Sequence, residues 1–391
     1  MVTILETERL PILLWLDDLT GDALQQAKNL ANLPDAFHHI AVMPDAHFGY
    51  GMPIGGVLAT TDHVIPNGVG VDIGCGVAAV KTSVSSLSPE TLKAIMQDIR
   101  KMIPLGFKHH KRKQPHDKMP DHSARTAVKL EIVEREYEKA RTQVGTLGGG
   151  NHFIEIQRGS DGSIWYMIHS GSRNLGYQVA DHYNKIATQL NKKKQRPLPS
   201  SWQLAGLELE TQLAQQYLEE MEYCLAFADQ NRLQMSACVH EAFANHIPEG
   251  FTAEEPITIA HNYAARETHF DTEVIVHRKG ATRARTGEHG IIPGSQGSSS
   301  YIVRGKGNPE SFCSCSHGAG RRLGRKQARK SLDLQLERKK LEEKGIIHSI
   351  RGKSDLDEAA GAYKNIELVI RQQQDLVEVE EQLEPLAVIK G

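Results

Sequence analysis

Short β-branched runs that stop at clusters of glycine recur along this chain. They constrain its fold more than any other feature. The stretch HHIAVMPDAHFGYGMPIGGVLATTDHVIPNGVGVDIGCGVAAVKT shows the pattern, and the chain carries 34 glycines and 19 histidines in 391 residues. Runs of this kind read as strands, and the glycines read as tight turns or points of close backbone approach. A helix is predicted from Ser88, with Pro89 at its first position, to about Met102. Helical spacing returns over 123–143, 177–195, 205–247 as two helices, 321–344 and 364–380. Gly159-Ser160-Asp161-Gly162 reads as a hairpin turn joining NHFIEIQ to SIWYMIHS. PITIAHNYA and EVIVHRKGA are further strands. Strands and helices do not alternate regularly, which disfavours a doubly wound sheet. The chain reads as α+β, a single domain over 1–391 with a helical insertion at 195–247 and no linker rich in Pro or Ser.

Charge narrows the class. There are 46 Lys+Arg against 48 Asp+Glu, a net of −2. This excludes a globally basic nucleic-acid coat protein and a strongly acidic disordered chain. It leaves room for a local basic groove, and Lys108–Lys113, Lys192–Arg196 and Arg321–Lys330 are the candidate clusters. Lys192–Arg196 reads better as a solvated helix end. No apolar run approaches the roughly 18–20 residues that span a bilayer. The acids and Pro11 near the N-terminus do not read as a signal peptide. Five cysteines, an odd number, fit reduced thiols in a cytoplasmic protein.

Chemistry concentrates where strands stop. In Val71-Asp72-Ile73-Gly74-Cys75-Gly76 a carboxylate and a thiol three residues apart can converge on one metal, with sulfur able to bridge two ions; a buried strand end with a structural thiol is the plainer reading. In Gly148-Gly149-Gly150-Asn151-His152-Phe153, an extended strand would turn His152 to a polar site and Phe153 to the core. His169, ending the return strand of the hairpin, would lie at the same end as His152. Arg173 suits an oxyanion. His261 ends another strand, and His277-Arg278-Lys279-Gly280 ends one with two cations suited to a phosphate. Pro293-Gly294-Ser295-Gln296-Gly297-Ser298-Ser299-Ser300 exposes backbone N–H groups and hydroxyls but lacks the GxxxxGK[ST] pattern. His317, between Cys315 and a basic helix whose N-terminus would favour an anion, could attack phosphorus and form a phosphoramidate. Cys313-x-Cys315-x-His317 is too compact for a tetrahedral zinc site.

Taken in order, DAHFGYGMPIGG, GVGVDIGCG, GTLGGGNHFIEI, HSGSRNLG, HNYA, HRKGA, GIIPGSQG, SHGAGR and the terminal VIKG resemble the RtcB family of RNA ligases over most of the chain. The resemblance implies an α+β fold peculiar to that family, GTP and two Mn²⁺ ions. It implies joining of an RNA 3′-phosphate or 2′,3′-cyclic phosphate to a 5′-hydroxyl, in tRNA splicing or RNA repair. Carried over by motif, Asp72, Cys75 and His152 would hold one ion, and Cys75, His169 and His261 the other. His317 would be the guanylylated nucleophile. Asn151, His152, Phe153, Ile154, Glu155, His261, Asn262, Pro293, Gly294, Ser295, Gln296, Ser300, His317, Gly318, Ala319, Gly320, Tyr363 and Lys390 match guanylate-contacting positions. Arg173, Arg278 and Lys279 are candidate RNA-phosphate contacts. An archease-like activator is a further implied partner. Gln296 stands where many members carry Met, and 108–122 and 195–247 are not covered by the motifs.

The residues support this chemistry independently. A hydroxyl cannot readily displace oxygen from a phosphate monoester, whereas transfer of GMP to that phosphate creates an activated anhydride. A cyclic end would first be hydrolysed at the same dinuclear site. Two other classes remain at this point: a dinuclear-metal cyclic phosphodiesterase that does not ligate, needing neither His317 nor Lys390, and a metal-dependent RNA-binding protein without catalysis.

Overall fold

The computed structural model describes residues 2–121, 128–247 and 250–391. Two large sheets dominate, and their registers decide where the chemistry collects. The first is mixed and runs Thr3–Leu5, Ile12–Leu14, Ala36–His47, Ile54–Thr60, Thr272–Lys279, Asn262–His269. Only the Ile12–Leu14 and Ala36–His47 pair is parallel. The second is antiparallel throughout and runs Ile257–Ala260, Gly76–Lys81, Ile164–Ser170, Phe153–Gly159, Val377–Lys390, Ser300–Gly305, His289–Ile292. In this sheet Ala260 pairs with Gly76, Gly76 with Ser170, His169 with Phe153, and Phe153 with Lys390. One end of the sheet therefore gathers Cys75, His152, His169 and Lys390. The chain passes to the other sheet at His261, between Ile257–Ala260 and Asn262–His269. A small pair, Ala281–Arg283 with Ser314–Ser316, sets His317 beside Gly280.

Ser88 caps the Pro89–Met102 helix by accepting from the Thr91 N–H at 3.1 Å, as the sequence predicts. The hairpin Phe153–Gly159 to Ile164–Ser170 also forms as read. Other expectations need correction. The region 205–247 holds one helix, Gln212–His246, instead of two. It contains neither Gly nor Pro, and its buried positions continue from Ala214 to Phe243, so nothing breaks it. The basic segment 321–344 is not one helix: Arg325–Ser331 ends, and Asp333 caps a second, Leu334–Glu343, by accepting from the Leu336 N–H. The predicted helix 364–380 stops at Gln372, and Val377–Lys390 is a strand. Its acidic stretch looked helical locally, but neighbours pair with it on both sides and override that preference. Pro385 is accommodated where the register shifts. Of the predicted 123–143 helix, Glu131–Ala140 is observed, and residues 122–127 lie outside the described residues. Among the described residues no helix is long and apolar enough to cross a membrane.

Candidate metal and nucleotide site

The loop 71–75 delivers Cys75 to the gathered strand ends. Its Sγ lies 3.4 Å from His152 Nε2 and 3.2 Å from His169 Nε2. One ligand atom from each of these buried residues lies within 4.8 Å of the others. Asp72 Oδ2 is 3.3 Å from His152 Nε2. The other nitrogen of His152, Nδ1, lies 3.0 Å from the Leu147 carbonyl and 3.2 Å from Arg173 Nη1. The rings continue from His169 to His261 at 5.1 Å and from His261 to His317 at 4.8 Å. His261 Nδ1 is buried with no hydrogen-bond partner among the described residues. Burial holds His169 and His261 well below the usual imidazole range, which favours their neutral form. Burial opposes ionisation of Asp72, but His152 beside it overrides this and holds the carboxyl at about 2. Burial and the Asp72 charge push the Cys75 thiol up. A set of sulfur, imidazole and carboxylate donors with an orphaned nitrogen at its edge fits a divalent transition-metal ion.

The long Gln212–His246 helix holds this cluster from below. Arg232 donates to the Gly74 and Ser170 carbonyls, each at 3.1 Å. Asn231 accepts from the Thr146 N–H at 3.0 Å and donates to Ser170 Oγ and the Gly171 carbonyl. Gly74 sits at φ +72°, and a Cβ there would lie 3.1 Å from the Cys224 carbonyl of that helix, so the close approach requires glycine. Asn262 joins both sides: its amide donates to the Asp72 carbonyl and its oxygen accepts from the Gly280 N–H.

His317 stands on the far side of the ring series. Asp45, fully buried at the end of the Ala36–His47 strand, places Oδ2 2.6 Å from His317 Nδ1 and accepts from the His317 N–H at 3.1 Å. The pair meets as a close charge contact, and His317 Nδ1 has no hydrogen-bond partner of good geometry among the described residues. The basic helix expected from about 321 starts only at Arg325, so its N-terminus is further along the chain from His317 than the sequence predicts; His317 itself follows the Ser314–Ser316 strand. Lys279 donates to the Tyr50 carbonyl at 2.5 Å and the Asn67 carbonyl at 3.0 Å.

A cavity of about 760 Å³ opens over these groups. Asp72, Cys75, Asn151, Phe153, Glu155, His169, His261, Asn262, Lys279, the runs Pro293–Gln296 and His317–Gly320, Tyr363 and Lys390 all line it. Burial pushes Glu155 up to about 8, and Gln157 donates to its Oε1 at 2.5 Å. Ser300 stands behind, accepting from the Gly294 N–H at 3.1 Å and from Gln157 at 3.0 Å. Gln296 donates to the Glu358 carbonyl at 2.8 Å, and its own oxygen is buried without a partner among the described residues. Glu358 gathers Arg321 at 3.1 Å, Arg325 at 3.4 Å, Lys390 at 3.5 Å and the Tyr363 hydroxyl. The Arg321 guanidinium lies 5.1 Å from the Tyr363 ring centre.

Several residues fall elsewhere than expected. Arg278 is sealed in the interior, paired with Glu267 and donating to Ser314 Oγ and the Phe312 carbonyl, so it cannot reach a phosphate. Arg173 lies behind His152, its Nη1 3.2 Å from His152 Nδ1, and is not among the cavity-lining residues. The Ile154 side chain packs with Ile156 and Ile168 on the opposite face of the sheet. Phe153 is not a simple core residue: it lines the cavity 5.4 Å from the His169 ring and 5.6 Å from Lys390 Nζ. Asp45, Glu358, Asn231 and Arg232 are the participants that sequence reasoning did not assign; Arg321 reads there only as part of a basic cluster. Only Asp45 carried a signal, standing inside the glycine-rich DAHFGYG segment.

A paired-sheet α+β fold whose strand ends converge on a Cys/His cluster and a carboxylate-held histidine defines the class. The family model described as tRNA-splicing ligase RtcB matches residues 26–391, and this chain belongs to that family. Similar proteins include RNA-splicing ligase RtcB1 of Escherichia coli, 36% identical over 410 residues covering 99% of both chains. The tRNA-splicing ligase RtcB of Thermococcus kodakarensis is 31% identical, covering 94% of this chain and 91% of its own. RNA-splicing ligase RtcB homolog 1 of Entamoeba histolytica is 31% identical, covering 95% of this chain and 84% of its own.

Proposed function

We propose that this protein is a GTP-dependent RNA ligase that joins a 3′-phosphate or 2′,3′-cyclic phosphate end to a 5′-hydroxyl end, in tRNA splicing or RNA repair. The chain acts as one catalytic domain in the cytoplasm, with an archease-like protein as its activator. The observation that carries the reading is the row of rings ending at His317, whose Nδ1 is 2.6 Å from the buried Asp45 carboxylate. An imidazole held beside a buried carboxylate at the edge of the cavity, with a ring nitrogen unprotonated, can serve as a nucleophile.

Asp72, Cys75 and His152 would hold one Mn²⁺, and Cys75, His169 and His261 a second. Bound there, the ions polarise phosphoryl oxygens and neutralise developing charge. His317 Nε2 attacks the α-phosphorus of GTP. A nitrogen–phosphorus bond forms, the bond from that phosphorus to the bridging oxygen breaks, and pyrophosphate leaves. An oxygen of the RNA 3′-phosphate then displaces His317 and takes up GMP. Finally the 5′-hydroxyl attacks the RNA phosphorus, gives up its proton, and GMP departs. Glu155, Asn151, Pro293–Gln296, Ser300, Tyr363 and Lys390 surround the guanylate. A neutral Glu155 carboxyl supplies both a donor and an acceptor to a base edge.

The test is incubation with α-labelled GTP and Mn²⁺. GMP becomes covalently attached to the wild-type chain and not to His317→Ala, and His317→Ala seals no RNA. Sealing by His317→Ala would sink the nucleophile assignment. Hydrolysis of a cyclic phosphate with no labelled adduct would replace the ligase with a phosphodiesterase.

A further inference from the structure

Large apolar side chains cluster in solvent at the cavity where the backbone beneath is most tightly held. Phe48 is 57% exposed, Tyr50 70% and Val71 49%, and all three line the cavity. A loop that carried two aromatics without purpose would be free to fold them down. This one is fixed. The buried Gln26 amide clamps Gly49 reciprocally, donating to its carbonyl at 2.7 Å and accepting from its N–H at 3.1 Å. Lys279 holds the Tyr50 carbonyl at 2.5 Å, and the Met52 N–H holds it again at 2.8 Å. Gly51 adopts φ +70°, and a Cβ there would lie 2.7 Å from the Gln203 carbonyl, so the turn is pinned against its neighbour. The ordering entropy of this loop is therefore lost on folding, before any ligand arrives.

We infer that Phe48 and Tyr50 form a stacking platform for the unpaired terminal bases of the RNA being joined. Aromatic faces bind single-stranded bases of any sequence, and phosphates need cations nearby. The same cavity is lined by the exposed Arg322 and Arg325, which supply them. Stacked end bases would hold a 3′-phosphate over the histidine row without demanding a sequence. This assignment rests on the RNA-ligase reading and names how that site grips its substrate.

The test uses the full chain and a short single-stranded oligoribonucleotide with a 3′-phosphate and a 5′-hydroxyl. Tyr50→Leu keeps apolar bulk and loses the ring, and it should raise KM for RNA about tenfold or more with a smaller change in kcat. Tyr50→Phe should restore KM. In a separate Tyr50→Trp protein, adding the RNA should quench the new indole emission as bases stack on it. A Tyr50→Leu KM equal to wild type, or indole emission that RNA leaves unmoved, overturns the platform; the surface would then belong to a protein partner. A wild-type chain that seals no RNA would instead overturn the ligase reading, so the two failures are distinguishable.

Discussion

A carboxylate sealed from water is compensated only by what touches it. Asp45 is fully buried, and its Oδ1 has no partner among the described residues, so its contacts run through Oδ2 to the N–H and ring of His317. Asp45→Asn preserves volume but removes the negative charge that sits 2.6 Å from the His317 ring. Guanylylation should slow by about 10²–10⁴-fold while the fold persists, as measured by the rate of label incorporation. Glu155 offers a second residue-scale outcome. Burial raises its folded pKa from the ordinary 4.5 to about 8. The folded state therefore binds the extra proton between those values. This contribution to stability is complete below about 4.5 and is lost as pH rises through about 8. Glu155→Gln removes that dependence, so denaturation curves should show the variant gaining on wild type from pH 5 to pH 9. A constant difference across that range would refute the buried-acid account. Site residues beside glycine clusters, such as Asp72, Cys75, His152 and His317, were legible because the motif and the chemistry coincide. Glu358 was not legible, because its role depends on Arg321, Arg325 and Lys390 meeting it from separate parts of the chain.

Elements whose ends are set locally could be read from sequence, and those set by partners could not. Ser88 followed by Pro89 fixes a helix start within one turn, and Ser88→Ala should cost about 1 kcal/mol in urea denaturation. The Val377–Lys390 strand owes its state to two neighbours far away in sequence, so its local composition pointed to helix. The region 205–247 reads as two helices, but Gln212–His246 is one. At Asn231 and Arg232 it grips the chain around the candidate site, at Thr146, Ser170, Gly171 and Gly74. Arg232→Met would leave the Gly74 and Ser170 carbonyls without this donor. It should cost about 2–4 kcal/mol and weaken Mn²⁺ binding together, read by denaturation with and without the metal. Loss of stability with unchanged metal affinity would separate the helix from the site.

At the scale of the whole molecule, the candidate ligands come from one end of the seven-stranded sheet and from the crossover to the other sheet. Cys75, His152 and His169 lie at one end of the seven-stranded sheet, while His261 is where the chain crosses to the six-stranded one. An unfolded chain cannot present these groups together, so a bound ion stabilises only the assembled fold. At a free concentration a hundredfold above Kd, one ion adds about 2.7 kcal/mol. Spread over an unfolding entropy of roughly 2.1 cal/mol/K per residue for this length, that is a rise of about 3 °C in Tm. Because Cys75 would contact both ions, Cys75→Ala should remove most of the Mn²⁺-dependent shift, whereas His317→Ala should keep it. The ligand form of cysteine is the thiolate, so binding must release a proton. Calorimetry in buffers of different ionisation enthalpy should then report about one proton released per chain, with affinity falling as pH falls. A full Mn²⁺ shift in Cys75→Ala would move the metal away from the strand ends. The proposed chemistry could not then be organised around them.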